Sequence, residues 1–373
     1  MGGGKRVTSH PVPPKPEAKE ARFPAPAAGS GWQCLRGDEE IRDIAGLDAG
    51  RLHNLAETQL RVCAGNSFGV VIVRHGMLVA ELNSLDYTWG SRFDIYSCSK
   101  SFTALAWGLL LDDQRRAGVD GISLSTPIYS LLSTPELLTD PRKERITIEH
   151  LLSMTSGIGG ERQGVWGHVT DQWHGPYEFA LGLAPNRFGQ WANTLVADPG
   201  TRWDYCDAAY THLGLAFPNV AGQEMADFVA ARILRPIGTG TVSWDAHGGE
   251  GHLGPHTTAI SGVHISARDL ARVGLLLLSG GDWEGETIVP KWWIERATVP
   301  SQSFNPGYGL GFWVNAELAL VPSAPRDMFA MAGYRSNRCY IIPSLDLVVA
   351  RVGSGPLSWD ERAFVEGIID AVL

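Results

Sequence analysis

Apolar residues recur along the chain with two different periods. From Asp48 to Val62, Leu52, Leu55 and Leu60 fall at helical spacing, and Asp48 is a suitable N-cap. Ser67–Val73 and Met77–Leu82 are short β-rich runs. Arg74-His75-Gly76 between them reads as a hairpin turn in which Gly76 supplies a positive φ. Phe93-Asp94-Ile95-Tyr96 then leads into a long apolar helix that starts at Ser97 and runs to Asp112. Between residues 115 and 260 the periodicity weakens. Helical pieces at Ile148–Met154, Ala208–Val220 and Met225–Leu234 are joined there by long loops. The order returns at Ala267–Leu278, an amphipathic helix ended by Gly280-Gly281, and at the short helix Lys291–Ala297. β-like segments follow at Gly309–Val314, Met328–Met331, Arg338–Ile342 and Leu347–Val352, and Trp359–Val372 closes the chain as a helix. The pattern predicts an α+β fold. One antiparallel sheet flanked by helices is built from both termini (31–114 and 261–373), and a mostly helical, all-α subdomain is inserted at 115–260.

Residues 1–30 have few large apolar groups and read as a flexible tail. They contain no apolar stretch of the kind found in export signals, so a cytoplasmic location is expected, with export as in relatives the alternative. The longest apolar runs, such as Ala104–Leu111, are far shorter than the ~20 residues of a membrane span, so no membrane partner is expected. The 373 residues carry 31 Lys and Arg against 40 Asp and Glu, a formal net charge of −9. Without a basic excess to neutralise phosphates, no nucleic-acid partner is expected. The five cysteines (Cys34, Cys63, Cys98, Cys206 and Cys339) include no C-x-x-C pair, which signals neither structural zinc nor a redox dithiol. His247, His252 and His256 lie in a Gly-rich stretch without acidic neighbours at ligand spacing, so no metal and no other cofactor is expected. The sequence leaves the oligomeric state open.

Three segments carry chemistry. The first is Ser97-Cys98-Ser99-Lys100 ahead of the apolar helix. A serine hydroxyl is a poor nucleophile until a base takes its proton. Positions i and i+3 share a helix face, so Lys100 would stand beside Ser97, and burial could lower its pKa until it acts as that base. The same tetrapeptide alone also fits an N-capping Ser and a solvated Lys; the apolar surroundings favour the buried pair. The second segment, Pro199-Gly200-Thr201-Arg202-Trp203-Asp204-Tyr205-Cys206-Asp207, presents Tyr205 just before a helix, where it could relay a proton. The third is Met331-Ala332-Gly333-Tyr334-Arg335-Ser336-Asn337. Gly333 would let a strand edge approach the nucleophile, and the N–H of Tyr334 could join that of Ser97 in an oxyanion hole.

In this order the three segments resemble the serine β-lactamase and penicillin-binding-protein superfamily. The likeness is to class C-type β-lactamase-like hydrolases, a group that includes carboxylesterases, D-aminopeptidases and 6-aminohexanoate-dimer hydrolase. It extends from about residue 40 to the C-terminus through Ile146–Gly157, Pro199-Gly200-Thr201, Ser266–Arg272 with Gly280-Gly281, and Pro343–Val349. The resemblance implies a β-lactamase-like/transpeptidase fold and an acyl-enzyme mechanism. Ser97 would be the nucleophile, Lys100 would take or hold its proton, Tyr205 would shuttle a proton, and the N–H groups of Ser97 and Tyr334 would form the oxyanion hole. Two departures stand out. The family's Tyr-x-Asn is Tyr205-Cys206-Asp207 here, and an ionised Asp cannot donate to a substrate carbonyl. Asp207 would instead hold Lys100 or meet a cationic substrate group. The family's cation before the glycine is replaced by Met331-Ala332-Gly333, which argues against a substrate carboxylate unless Arg335 or Arg338 supplies the charge.

The expected partner is therefore a small-molecule ester or amide, with acyl transfer a variant of the same chemistry. A D-aminopeptidase, DD-peptidase or β-lactamase is the alternative within the superfamily, and a non-catalytic binding protein that retains the fold is the alternative outside enzymes. Trp166, Trp173 and Trp191 are candidates for an apolar substrate wall, and His264 is a candidate pocket residue or a structural histidine. Cys98 is expected to point into the core.

Overall fold

The structure is a computed structural model and describes residues 22–25, 31–118, 121–132, 140–160, 175–192, 194–248 and 253–373. Helices α1 (Asp38–Asp43) and α2 (Ala49–Val62) lead into strands β1 (Phe68–Arg74), β2 (Met77–Asn83) and β3 (Phe93–Asp94), then helix α3 (Ser99–Ala117). Helices α4 (Ile148–Leu152), α5 (Pro176–Leu181), α6 (Asp207–Ala221) and α7 (Met225–Val229) follow. Next come β4 (Ser243–Trp244), β5 (Ala246–His247), β6 (His256–Thr257), β7 (Val263–Ile265), α8 (Ala267–Leu278), β8 (Asp282–Trp283), β9 (Glu286–Thr287) and α9 (Lys291–Ala297). The chain ends through β10 (Trp313–Val314), β11 (Phe329–Gly333), β12 (Asn337–Ile342), β13 (Leu347–Gly353) and α10 (Glu361–Ile369).

The main sheet is antiparallel, in the order β10-β11-β12-β13-β1-β2, so both ends of the chain build it. Both of its faces are covered. Val71, Val73, Cys339, Ile341, Val348 and Ala350 pack toward the core shared with α3 and α8. Their neighbours Val70, Ile72, Tyr340, Ile342, Leu347 and Val349 pack toward α2 and α10. Side chains alternate across a strand, so two covered faces demand a nearly unbroken apolar run, which is what β1 and β13 show. The β1–β2 turn has positive φ at both His75 (54°) and Gly76 (80°), the hairpin geometry that matches strand twist. Asp48 caps α2 by accepting the Arg51 N–H. Helix α3 is buried on all sides as far as Asp112, as an apolar helix at the centre of a molecule must be.

The structure departs from the expected elements in several places. Ser97 lies in a 3₁₀ turn, Tyr96–Cys98, and the α-helix begins only at Ser99, because Tyr96 takes a positive φ of 49°. Of the expected strand Gly309–Val314 only Trp313–Val314 forms. The Gly309 N–H bonds the Phe312 carbonyl at 2.9 Å and Gly311 has φ 77°, so the segment is bent rather than extended. The inserted region holds α4–α7 but also the short strands β4–β6, so it is not all-α. Four residues of the expected tail are bound to the body: Arg22 pairs with Asp346 at 2.7 Å, Phe23 packs on Trp283, and Pro24 and Ala25 give their carbonyls to the buried Arg272 guanidinium. No helix among the described residues is long and apolar enough to cross a membrane.

Candidate active site

Three segments far apart in sequence meet at the head of α3. Lys100 Nζ lies 3.0 Å from Ser97 Oγ, 3.1 Å from the Ile260 carbonyl and 2.7 Å from Asp207 Oδ1. An ammonium has three hydrogens, and these are three acceptors. Lys100 and Asp207 are both buried. Burial pulls the lysine pKa down, but the Asp207 carboxylate and Tyr205 outweigh it and raise the pKa above its ordinary value. This reverses the expectation of a lowered pKa: Lys100 is a held cation, not a free amine. Asp207 occupies the first position of α6, and Cys206 is the N-cap, its sulfur accepting the Ala209 N–H at 3.3 Å.

Tyr205 stands over this pair, with Lys100 Nζ 5.0 Å from its ring centre. Lys100 and Ser97 both act on its hydroxyl, each favouring the ionised phenol. Burial raises the phenol pKa, and the Lys100 charge opposes that shift. The Tyr205 ring stacks on Trp313 at 6.3 Å and 19°, and Trp203 packs edge-on against Trp313 and Tyr308. This aromatic wall was not expected from the sequence, because Trp203 and Trp313 come from segments 110 positions apart and share no local motif. The expected wall residues Trp166 and Trp173 lie outside the described residues, and Trp191 is exposed.

Strand β11 brings Gly333 against the turn that carries Ser97. A Cβ there would sit 2.1 Å from the Ile95 carbonyl and 3.1 Å from Cys98 N, so only glycine fits. Tyr334 opens the next 3₁₀ turn, and its ring meets Tyr96 edge-on at 5.5 Å. Neither Ser97 N–H nor Tyr334 N–H donates to another backbone group among the described residues. Met331 is buried in the core. Arg338 is spent on Glu361, through bonds of 2.7 and 2.8 Å, and on the Gly333 carbonyl at 2.6 Å. Arg335 reaches Ser354 Oγ at 3.2 Å.

His264 does not join this group: its Nε2 bonds Asp245 Oδ2 at 3.0 Å, and it makes no hydrogen bond with Ser97, Lys100 or Tyr205. Cys98 is buried, its sulfur donates to the Asn337 carbonyl, and burial pushes its pKa up to about 12, which suits a core thiol rather than a nucleophile. His256 has an acidic partner that spacing hid, Glu224 Oε1 at 2.8 Å, while His252 lies outside the described residues.

The profile of the Beta-lactamase family matches residues 60–364. The chain belongs to the Beta-lactamase family. It is thereby placed among hydrolases, and the fold is the β-lactamase-like α+β fold. Among curated proteins it is similar to the 6-aminohexanoate-dimer hydrolase of Paenarthrobacter ureafaciens, 22% identical over 325 residues, which cover 83% of this chain and 77% of that protein. Among solved structures it is similar to a family VIII carboxylesterase, with TM-score 0.64, 17% identity, and 86% and 97% of the two chains covered. It is also similar to a penicillin-binding protein homologue from Caulobacter crescentus, with TM-score 0.63, 16% identity, and 86% and 97% coverage.

Proposed function

We propose that this member of the Beta-lactamase family is a serine hydrolase that cleaves esters or small amides through an acyl-enzyme on Ser97. The observation that carries the reading is the buried Lys100 cation in contact with Ser97 Oγ beneath Tyr205. As Oγ bonds to the acyl carbon, its proton passes to the Tyr205 oxygen while the phenolic proton passes to the leaving alcohol or amine. Lys100 stays an ammonium throughout and stabilises negative charge developing on both oxygens. The N–H groups of Ser97 and Tyr334 receive the oxyanion, and the bond from the acyl carbon to the leaving group then breaks. In the second half water attacks the acyl carbon, gives its proton to Tyr205, and Tyr205 returns one to Ser97 Oγ as the acid departs. An alcohol or amine in place of water gives acyl transfer.

The substrate carries no carboxylate that must be held near the reacting bond. Met331 is in the core, Arg338 is bound to Glu361, Lys100 is bound to Asp207, and Arg335 is exposed and turned onto Ser354 Oγ and the Tyr334 ring, so it is the cation left to be tested against a substrate carboxylate. This favours simple esters and amides over penicillins and peptidoglycan stems. The carboxylesterase likeness suits the ester branch and the 6-aminohexanoate-dimer hydrolase likeness the amide branch. The test compares p-nitrophenyl butyrate with a chromogenic cephalosporin. Hydrolysis of the ester with the cephalosporin at least ~100-fold slower supports the reading. The opposite preference returns the chain to the β-lactamase alternative.

A further inference from the structure

Behind the Ser97–Lys100 pair, the segment from Thr258 to Val263 runs along the first turns of α3. Thr103 Oγ1 donates to the Ala259 carbonyl at 2.8 Å, Lys100 Nζ to the Ile260 carbonyl at 3.1 Å, and the Val263 N–H to Ser99 Oγ at 3.2 Å. From the other side the Trp244 indole N–H holds the Thr258 and Ser261 carbonyls at 2.8 and 3.0 Å. The Ile95 N–H on the Val263 carbonyl at 3.0 Å ties this segment to the Ser97 turn, and one carboxylate oxygen adds a second tie: Asp94 Oδ1 accepts the Tyr96 N–H at 2.8 Å and the Gly262 N–H at 3.0 Å.

Both donors belong to residues of positive φ. Tyr96 has φ 49°, a conformation that costs energy in a residue with a Cβ and that must be held by its surroundings. Gly262 has φ 83°, and a Cβ there would lie 2.8 Å from that of Asp245. The first bond is the local turn that Asp makes with the N–H two residues on. The second spans 168 positions of sequence and fixes the loop that presents the Ile260 carbonyl.

We propose that Asp94 is a positioning residue for the reaction. Its single oxygen sets the turn that carries Ser97 and, through Gly262, the Ile260 carbonyl that aims Lys100 at Ser97. The proposal rests on the serine-hydrolase reading above. Asp94 itself acts through Tyr96 and Ile260 and takes no part in bond making.

The test measures kcat and KM for p-nitrophenyl butyrate, the rate of Ser97 labelling by a fluorophosphonate, and the melting midpoint, for wild type, Asp94→Ala, Asp94→Ser and Asp94→Asn. Asp94→Ala is expected to lower kcat and labelling rate by about ten- to a hundredfold, with KM within about threefold. Asp94→Ser can keep the local bond to Tyr96 but cannot reach Gly262, so it is expected to show the same loss; it also decides the matter if the alanine variant does not fold. Asp94→Asn keeps an acceptor oxygen and is expected to restore kcat to within about threefold of wild type. Wild-type kcat and labelling in a folded Asp94→Ala or Asp94→Ser protein would overturn the proposal, as would an asparagine variant as slow as alanine. Failure of wild type itself to label on Ser97 would instead overturn the hydrolase reading.

Discussion

At Lys100 three acceptors meet one ammonium, and each constrains it differently. Ile260 gives direction, Asp207 gives charge, and Ser97 receives the result. Lys100→Ala removes the cation, and Tyr205→Phe removes the hydroxyl assigned to pass a proton on; each is expected to lower turnover by about 10² or more, measured as kcat with p-nitrophenyl butyrate. Asp207→Asn is subtler. The carboxylate holds the Lys100 pKa up, so its neutralisation lowers that pKa. In the proposed mechanism the ammonium is the working form, so the alkaline limb of the kcat/KM–pH profile should move to lower pH. An unmoved limb would mean that Lys100 works as a free amine. The three residues themselves were legible from the sequence as an ordered motif set. The charge state was not, because it depends on a carboxylate whose contact with Lys100 spans 107 positions of sequence.

Two elements make this site rigid. The end of β11 lies so close to the 3₁₀ turn of Ser97 that Gly333→Ala forces a Cβ against a backbone carbonyl. That overpacking should cost about 1–3 kcal/mol in denaturant unfolding and should slow acylation, because the strand must retreat from the oxyanion site. Helix α6 carries both Asp207 and the buried His212. His212 Nδ1–H donates to the Ala208 carbonyl at 2.8 Å, and Nε2 accepts from the Tyr129 hydroxyl at 2.9 Å. Burial pushes its pKa down to about 4. The unfolded chain would bind that proton near pH 6.5. Between these values the unfolded state holds more protons, so stability falls as pH drops from 6.5 to 4, by roughly 3 kcal/mol in total. Denaturant unfolding at pH 7 and pH 4.5 should show the loss, and His212→Gln should reduce it. Element boundaries were less legible than element identities. The α-helix starts at Ser99 and not Ser97 because Tyr96 takes a positive φ, which its residue type does not announce. The strand expected at Gly309–Val314 is cut short because the chain turns there, with the Gly309 N–H on the Phe312 carbonyl and Gly311 at φ 77°.

The main sheet is built by both ends of the chain, and Ser97, Lys100 and Tyr205 gather at the head of the helix α3 that packs on it. The sheet was readable because both of its faces are buried, which leaves long apolar runs in β1 and β13. The aromatic wall and the bound residues Arg22–Ala25 were not readable, since the wall joins rings 110 positions apart and the Pro24 and Ala25 contacts are backbone carbonyls given to Arg272. Arg272 is fully buried, and its guanidinium donates to Pro24, Ala25 and Ile237 carbonyls at 3.1, 2.8 and 2.9 Å. Removal of residues 1–25 leaves that cation with one of its three carbonyl partners and should lower stability by about 1–3 kcal/mol, read as a drop in the denaturant midpoint. A truncated chain as stable as the full one would show those contacts to be incidental. The central claim is a covalent bond to one oxygen atom. Intact-mass spectrometry after brief incubation with an activated ester should show the added mass of one acyl group on wild type and none on Ser97→Ala; an adduct that survives in Ser97→Ala, or no adduct on either protein despite ester turnover, would contradict it.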